Sequence, residues 1–372
     1  MSQVLVNLSF LTTKPTGITT YALNLLPHLS SLNPSLLISP QTTQVPPFLK
    51  GGKGRSPLAD YICYPVPPNL NPDYGTKGHL RRLIWTQRQL PRIYKQLQSH
   101  LLFSPVPEAP LFANCRYIVT VHDLIPLRFP KPFSPLTNYQ RYYIPQVLAQ
   151  AQHIICNSNA TAQDITKFFH IPASKITPIL LAHDANHFRF LNLPRSNYFL
   201  YIGRHDPYKN LRRIIAAFAA LPNCREYELW LAGSIDSRYT PTLKADIEHL
   251  GINDRVKFYD YVPYSDLPIL LNKAIALVFP SLWEGFGLPV LEAMACGTPV
   301  ITSNLSSLPE VVGEAALLVD PYKTEEITAA MQAIANDSKL RSHLCDLGIN
   351  RASVFSWEKT GLATAEVLSR FL

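Results

Sequence analysis

The chain has 372 residues, of which 34 are Lys or Arg, 26 are Asp or Glu, and 33 are Pro. Its length exceeds a single ordinary core and points to two domains of about 180 residues each, and no run of about 18 apolar residues is present to cross a membrane. The six cysteines (Cys63, Cys115, Cys156, Cys224, Cys296, Cys345) are scattered with no Cys-x-x-Cys pair, which argues against a disulfide scaffold or a zinc ribbon and for reduced thiols.

The opening MSQVLVNLSF lacks the basic flank and cleavage site of a signal peptide, so a cytoplasmic protein is expected. Residues 1–188 hold 16 Lys and Arg against 6 Asp and Glu, leaving 18 and 20 for the rest. A front half this basic suits an anionic partner, such as a membrane surface at its inner face or a phosphorylated lipid carrier. Nucleic acid is not expected, because no nucleic-acid-binding motif accompanies the charge.

Gln3–Phe10 reads as a strand and Ile18–Leu29 as a helix, a βα unit whose loop ends at Gly17. A phosphate could approach the helix start at Gly17; a plain turn is the alternative. Residues 40–78 are crowded with Pro and Gly and read as irregular acceptor-side loops. His79–Leu97 is basic on one face, with Leu83, Ile84, Trp85 and Leu90 on the other and a kink at Pro91. It is expected either to lie on an anionic membrane with Trp85 at the interface, or to be a solvated helix with its apolar residues in the core. Arg116–Val121 is a buried strand followed directly by His122 and Asp123, at the strand end where open α/β sheets bind ligands. Ile154–Asn157 is a further strand, and Ser158 caps the helix that follows; Ser158 is also a site candidate.

Residues 178–197 carry no regular period and include HDANHFR. The boundary is expected near Leu193, giving domains 1–192 and 193–372, with a return of the last helix to the first domain left open. Beyond it strands and helices alternate from Tyr198 onward, the pattern of a doubly wound parallel sheet. The first strand there ends in GRHDPYKN, residues 203–210. Gly203 opens this stretch as a donor-binding candidate, and Arg204 and Lys209 are candidate phosphate cations that would stabilise a departing diphosphate. Solvated surface cations are the alternative. Tyr261 and Val262 follow a later strand.

The most informative stretch is PSLWEGFGLPVLEAMACGTP, residues 280–299. A strand over Ala276–Phe279 stops at Pro280, a loop carries Gly285, Phe286, Gly287 and Leu288, and Pro289 suits a first helical turn. The exposed helix start is a site for a phosphate or a sugar hydroxyl. Glu284 in the loop and Glu292 on the helix each offer a carboxylate to ligand hydroxyls, with ordinary solvated acids as the alternative. No Asp-x-Asp occurs, so no such metal-bridged diphosphate site is expected.

These segments resemble the retaining glycosyltransferases of family 4 (glycosyl transferases group 1, GT-B architecture). The resemblance is strongest over Tyr198–Asp320, weaker over Val119–Phe169 and poor over residues 30–110. It implies two Rossmann-like doubly wound parallel-sheet domains facing across a cleft, and transfer of a hexose from a nucleotide-sugar donor to a glycan or lipid-linked acceptor, without a metal or other cofactor and with retained configuration. By resemblance Glu284 contacts the donor sugar, Glu292 the ribose, Arg204 and Lys209 the pyrophosphate, and Tyr261 and Val262 the base. His122 would approach the sugar, with Asp123 orienting it. HDLIPLRFP looks like mannosyltransferase relatives, so GDP-mannose is the first donor expected and UDP-glucose or another UDP-sugar the next. An epimerase or hydrolase on the same fold, or a non-catalytic sugar-nucleotide-binding subunit, stays open from sequence alone.

Overall fold

Short apolar runs bounded by turn residues (VLVN, SLLI, LLFS, HIIC, ALVF) form strands that are buried along their whole length. Strands apolar on both faces belong in a parallel sheet covered by helices on each side, because nothing on them tolerates water. A computed structural model, which describes residues 4–12, 16–42, 58, 61–131 and 133–372, shows two such sheets. The chain divides into one unit of residues 1–181 with 357–372, and a second of residues 182–356.

The first unit holds seven strands: β1 (Val4–Asn7), β2 (Ser35–Ile38), β3 (Ile62–Pro65), β4 (Leu101–Ser104), β5 (Tyr117–Val121), β6 (His153–Cys156) and β7 (Ile176–Pro178). Their order is β3-β2-β1-β4-β5-β6-β7, and every neighbouring pair is parallel. The second unit holds six: β8 (Tyr198–Ile202), β9 (Glu228–Ala232), β10 (Val256–Tyr259), β11 (Ala276–Phe279), β12 (Val300–Ser303) and β13 (Leu317–Val319), ordered β10-β9-β8-β11-β12-β13. These too are all parallel. In each sheet the winding reverses beside the first strand, between β1 and β4 and between β8 and β11. Loops leaving the carboxyl ends of those strands splay apart there, and that gap is where a doubly wound sheet receives a ligand.

The units divide after Leu181 rather than near residue 193, so the polar HDANHFR segment belongs to the second unit. The last helix, Trp357–Ser369, groups with the first. It is fastened there by hydrogen bonds from Thr360 Oγ1 to the Leu180 carbonyl (2.7 Å) and from Arg116 to the Phe371 carbonyl (2.7 Å). Gly361 lets it approach closely, since a Cβ at that position would lie 2.5 Å from His28.

Of the two readings of the basic helical stretch, the structure shows the one with Trp85 and Leu90 in the core. Gly75–Arg88 and Leu90–Gln96 are separate helices broken at Gln89, ahead of Pro91. Trp85 is packed into the core, and Arg82 is buried in a bidentate pair with Glu108, both contacts at 2.7 Å. Neither side chain is therefore free to meet a membrane. Within residues 40–78, β3 and the start of the Gly75–Arg88 helix are ordered elements, and residues 43–57 and 59–60 lie outside the described residues. Among the described residues no helix is long and apolar enough to cross a membrane.

Candidate active site

Both glycine-bearing motifs of the second unit leave the two strands that flank its switch point. The first follows β8. Gly233, at the end of β9, must be glycine for this turn to pack: a Cβ there would fall 1.8 Å from the Gly203 carbonyl oxygen. Asp206 then opens a 3-10 turn over Pro207–Lys209, and Asn210 closes it with φ of 67°. The Asn210 side chain donates to the Pro280 carbonyl (3.0 Å) and the Pro321 carbonyl (2.7 Å). A main-chain bond from Leu282 N to the Tyr208 carbonyl (2.8 Å) ties the two motif loops to each other.

The second motif follows β11. Gly287 takes φ of 109° and caps the Leu288–Ala295 helix, with Pro289 in its first turn. No other residue type takes this conformation as easily, and a Cβ there would also lie 2.7 Å from Leu308. Two serines hold the loop: Glu284 N donates to Ser306 Oγ (3.1 Å), and Ser307 Oγ donates to the carbonyls of Glu284 (3.1 Å) and Phe286 (2.8 Å). Phe286 itself is buried edge-on against Phe355, so only its main chain can face a ligand. Gly285 precedes Phe286 in the same loop, and Leu288 begins the helix.

Where the loops meet, Lys209 Nζ lies 2.7 Å from Glu284 Oε1, with both side chains mostly buried. Burial opposes the charge on Lys209, but the Glu284 carboxylate outweighs it and raises the lysine's pKa, so the ammonium persists. Arg204 is the opposite case: its side chain is 73% exposed and is steadied by Asp206 at 3.2 Å and the Tyr208 hydroxyl at 3.4 Å. Glu292 is half-buried on its helix. Burial, reinforced by Asp184, pushes its carboxyl up to about 8, which leaves it largely protonated and able to donate a hydrogen bond at neutral pH.

Asp184 goes unnoticed in the sequence because HDANHFR reads as a linker. Its carboxylate accepts from Asn186 N (3.0 Å) and His187 N (3.3 Å), and the His187 ring stacks on Tyr264 at 3.9 Å. The only sequence signal is this polar cluster standing between two apolar stretches. Tyr261, 77% exposed, and Val262 lie in the loop after β10, at the edge of the sheet and away from its switch point.

The remaining candidates lie on the first unit. His122 follows β5, and its Nε2 is 2.8 Å from the Pro105 carbonyl. Burial, only partly offset by that carbonyl, lowers its pKa to about 4, so the ring is neutral. Asp123 does not orient His122 as expected: its carboxylate accepts from Ile125 N (3.1 Å), and the Pro105 carbonyl takes the imidazole instead. Ser158 is wholly buried, and its hydroxyl caps the Asn159–Phe169 helix through Thr161 N (3.1 Å), which removes it as a ligand group. Gly17 is exposed and is the first residue of the Gly17–Leu25 helix, behind a Thr16 cap. Among the described residues no group of three or more His, Cys, Asp or Glu is placed to hold a metal ion.

Two family models match the chain, Glycosyltransferase Family 4 over residues 15–187 and Glycosyl transferases group 1 over residues 183–350. The chain is similar to O-antigen chain mannosyltransferase B of Escherichia coli, with 33% identity over 263 residues covering 65% of this chain and 67% of the relative. It is also similar to O-antigen chain mannosyltransferase RfbU of Salmonella typhimurium, with 30% identity over 272 residues covering 72% and 75%. Among solved structures, sucrose-phosphate synthase of Thermosynechococcus elongatus shares the fold, with a TM-score of 0.76 at 20% identity over 99% of this chain and 98% of that one. With two parallel-sheet units on this pattern and both motif loops at the switch point of the second, the chain belongs to the group 1, family 4 glycosyltransferases of the GT-B fold.

Proposed function

We propose that this glycosyltransferase moves a mannosyl group from GDP-mannose to a glycan or lipid-linked acceptor, with retention of anomeric configuration and without a metal. The observation that carries the reading is the Lys209–Glu284 pair at the switch point of the second sheet. Negative charge grows on the diphosphate as the glycosidic bond breaks. A buried ammonium, a helix start at Leu288 and a second cation at Arg204 meet that charge without reorganising, which favours the transition state over the ground state. These two cations take the part that a metal would otherwise play.

Glu284 holds Lys209 in place and accepts from a sugar hydroxyl, while protonated Glu292 donates to a ribose oxygen. His122 faces a hydroxyl of the donor sugar, and Tyr261 and Val262 border the base. Mannose is favoured because the two relatives described above are named as mannosyltransferases; a UDP-sugar is the second reading. Thermal shift decides between donors: a nucleotide sugar present at about 100 times its Kd stabilises by about 2.7 kcal/mol. A response to GDP-mannose and none to UDP-glucose supports the proposal, and the reverse overturns the donor. Turnover that persists in EDTA, with a product whose anomeric carbon keeps its configuration, tests the remainder.

For the acceptor side, peripheral contact with an anionic membrane from the cytoplasm is proposed on different residues from Trp85 and Arg82. Leu80 and Ile84 are exposed on the Gly75–Arg88 helix, with Lys77, Arg81 and Arg88 on the same face. That helix carries no acidic residue, and each cation near an anionic leaflet contributes about 1 kcal/mol. Co-sedimentation with anionic vesicles should weaken with salt and with Leu80→Asp. Equal recovery with neutral vesicles would overturn it.

A further inference from the structure

His122 is the one site candidate of the first unit whose ring is held from two sides. On one side Nε2 meets the Pro105 carbonyl at 2.8 Å. A carbonyl only accepts, so Nε2 must carry the proton, and in a neutral ring Nδ1 is then left with a lone pair. The loop bearing Pro105 is itself braced, because Glu108 in the same loop is clasped by buried Arg82 and approached by His79 at 3.3 Å.

On the other side is Tyr21, on the Gly17–Leu25 helix. Its ring meets the imidazole edge-on, with centroids 4.9 Å apart and an interplanar angle of 83°. Thr120 and His122 are two residues apart at the end of β5 and so face the same way; the Tyr21 hydroxyl lies 3.1 Å from Thr120 Oγ1 while its ring reaches His122. Thr364, whose Oγ1 donates to the Thr360 carbonyl at 2.8 Å, is a polar neighbour of the same hydroxyl. Thr364 lies on the Trp357–Ser369 helix, so the returning C-terminal helix is part of the support. Tyr21 and Thr364 are both buried, so the Tyr21 hydroxyl is kept from solvent.

We propose that Tyr21 is a positioning residue for His122. The Pro105 carbonyl fixes the Nε2–H tautomer and Tyr21 fixes the orientation of the ring, so that Nδ1 meets the donor as a hydrogen-bond acceptor for a sugar hydroxyl. His122 therefore neither removes a proton nor supplies a charge; it selects a donor that has a hydroxyl where Nδ1 points. This rests on His122 facing the donor sugar, as proposed above.

The test uses the full chain, with Tyr21→Phe, Thr364→Val and His122→Ala. Nitrogen-15 NMR of labelled histidines, assigned by the signal lost in His122→Ala, should show pyrrole-like Nε2 and pyridine-like Nδ1 at His122. Tyr21→Phe keeps the ring but frees it from Thr120, so it should leave the tautomer unchanged and lower kcat by about ten-fold with little change in donor KM, since small misplacements at a reacting centre act on rate. The loss should vanish with a deoxy-sugar donor that lacks the accepted hydroxyl, an outcome that a merely structural role would not produce. Thr364→Val leaves Tyr21 whole and carries the same test if Tyr21→Phe does not fold. An Nδ1–H tautomer in the parent protein, or unchanged kcat in both variants, overturns the proposal. Parent-like turnover in His122→Ala would instead remove the underlying role of His122; a crippled His122→Ala beside an active Tyr21→Phe removes only the role of Tyr21.

Discussion

The two units share a winding but use charge in opposite ways. The first carries 18 Lys and Arg against 7 Asp and Glu, yet its site candidate His122 is a neutral ring held by a carbonyl and an aromatic edge. The second carries 16 against 19 and is slightly acidic overall, yet it sets a buried ammonium at its switch point. Net charge describes what a surface attracts, whereas chemistry depends on where one cation is buried and what keeps it ionised. As proposed, the buried ammonium of the second unit serves a diphosphate and the neutral ring of the first serves an uncharged hydroxyl.

Replacing Lys209 by Ala is the strongest way to break that contrast. The buried Glu284 carboxylate loses its partner, which costs about 3–5 kcal/mol of stability, and on the proposed mechanism the departing diphosphate loses a buried cation, lowering kcat by about 10²–10³. A Lys209→Met, Glu284→Gln double variant should regain much of the stability and none of the turnover, measured by denaturant unfolding and steady-state kinetics. Recovered activity in the double variant would mean that the pair is structural.

In the first unit the corresponding buried pair, Arg82–Glu108, should matter to folding and only indirectly to chemistry. Burial works against the Glu108 charge, but Arg82 overcomes it and holds the carboxyl at about 2. Its folded pKa is depressed, so this contribution is present above about pH 4.3 and is lost as pH falls toward 2. Arg82→Leu should cost about 3–5 kcal/mol and make acid unfolding less steep. A surface role for Arg82 would predict almost no loss.

The second unit is more legible in the sequence than the first, for a physical reason. Glycines and prolines are required where a backbone must turn tightly beside a ligand, so GRHDPYKN and the Pro280–Pro299 stretch announce their loops, and the strands before them are apolar runs with clean ends. Four-residue runs are legible where a helix cap or a glycine loop follows, as after HIIC and ALVF, whereas SLLI, ICYP and LLFS run into Pro-rich segments, so β2, β3 and β4 escape detection. Trp85 is ambiguous because a basic helix facing water and one facing lipid share a pattern, and only packing separates them. Asp184 is hidden by distance along the chain: its influence on Glu292 exists only in the folded unit. The exchange of Asp123 for the Pro105 carbonyl as the partner of His122 is likewise a long-range contact that no local motif encodes.

Glu292 sharpens the comparison through pH. With its carboxyl pushed up to about 8 by burial and Asp184, donor affinity should fall by roughly ten-fold between pH 7 and 9 as the donating proton is lost beside an anionic ligand. Its folded pKa is raised, so its contribution to stability is full below about pH 4.3 and is lost as pH rises to about 8. Glu292→Gln, which donates at every pH, should flatten both profiles. His122, lowered to about 4, works the other way: its contribution is present above about pH 6.5 and is lost as pH falls toward 4. Isothermal titration across this range distinguishes the two, and a donor affinity that still falls above pH 8 in Glu292→Gln would assign the proton elsewhere.

The smallest effect is expected at Arg204, and it tests whether burial is what separates an essential cation from a helpful one. The side chain is 73% exposed and leans on Asp206 and Tyr208, so water and salt screen whatever it offers a diphosphate. Arg204→Ala should therefore raise donor KM by about three- to ten-fold and leave kcat within about ten-fold, the range of a single exposed charge contact. Raising the salt concentration should weaken the parent protein toward the variant, because a screened contact has less to lose. Arg204→Lys should fall between them, keeping the charge but not the planar fork that binds two oxygens at once. Lys209→Ala should show no such salt convergence, since its charge is enclosed with Glu284. If Arg204→Ala instead lost as much kcat as Lys209→Ala, the exposed guanidinium would have to become buried over the diphosphate when the donor binds, and burial in the donor complex would be what makes either cation essential.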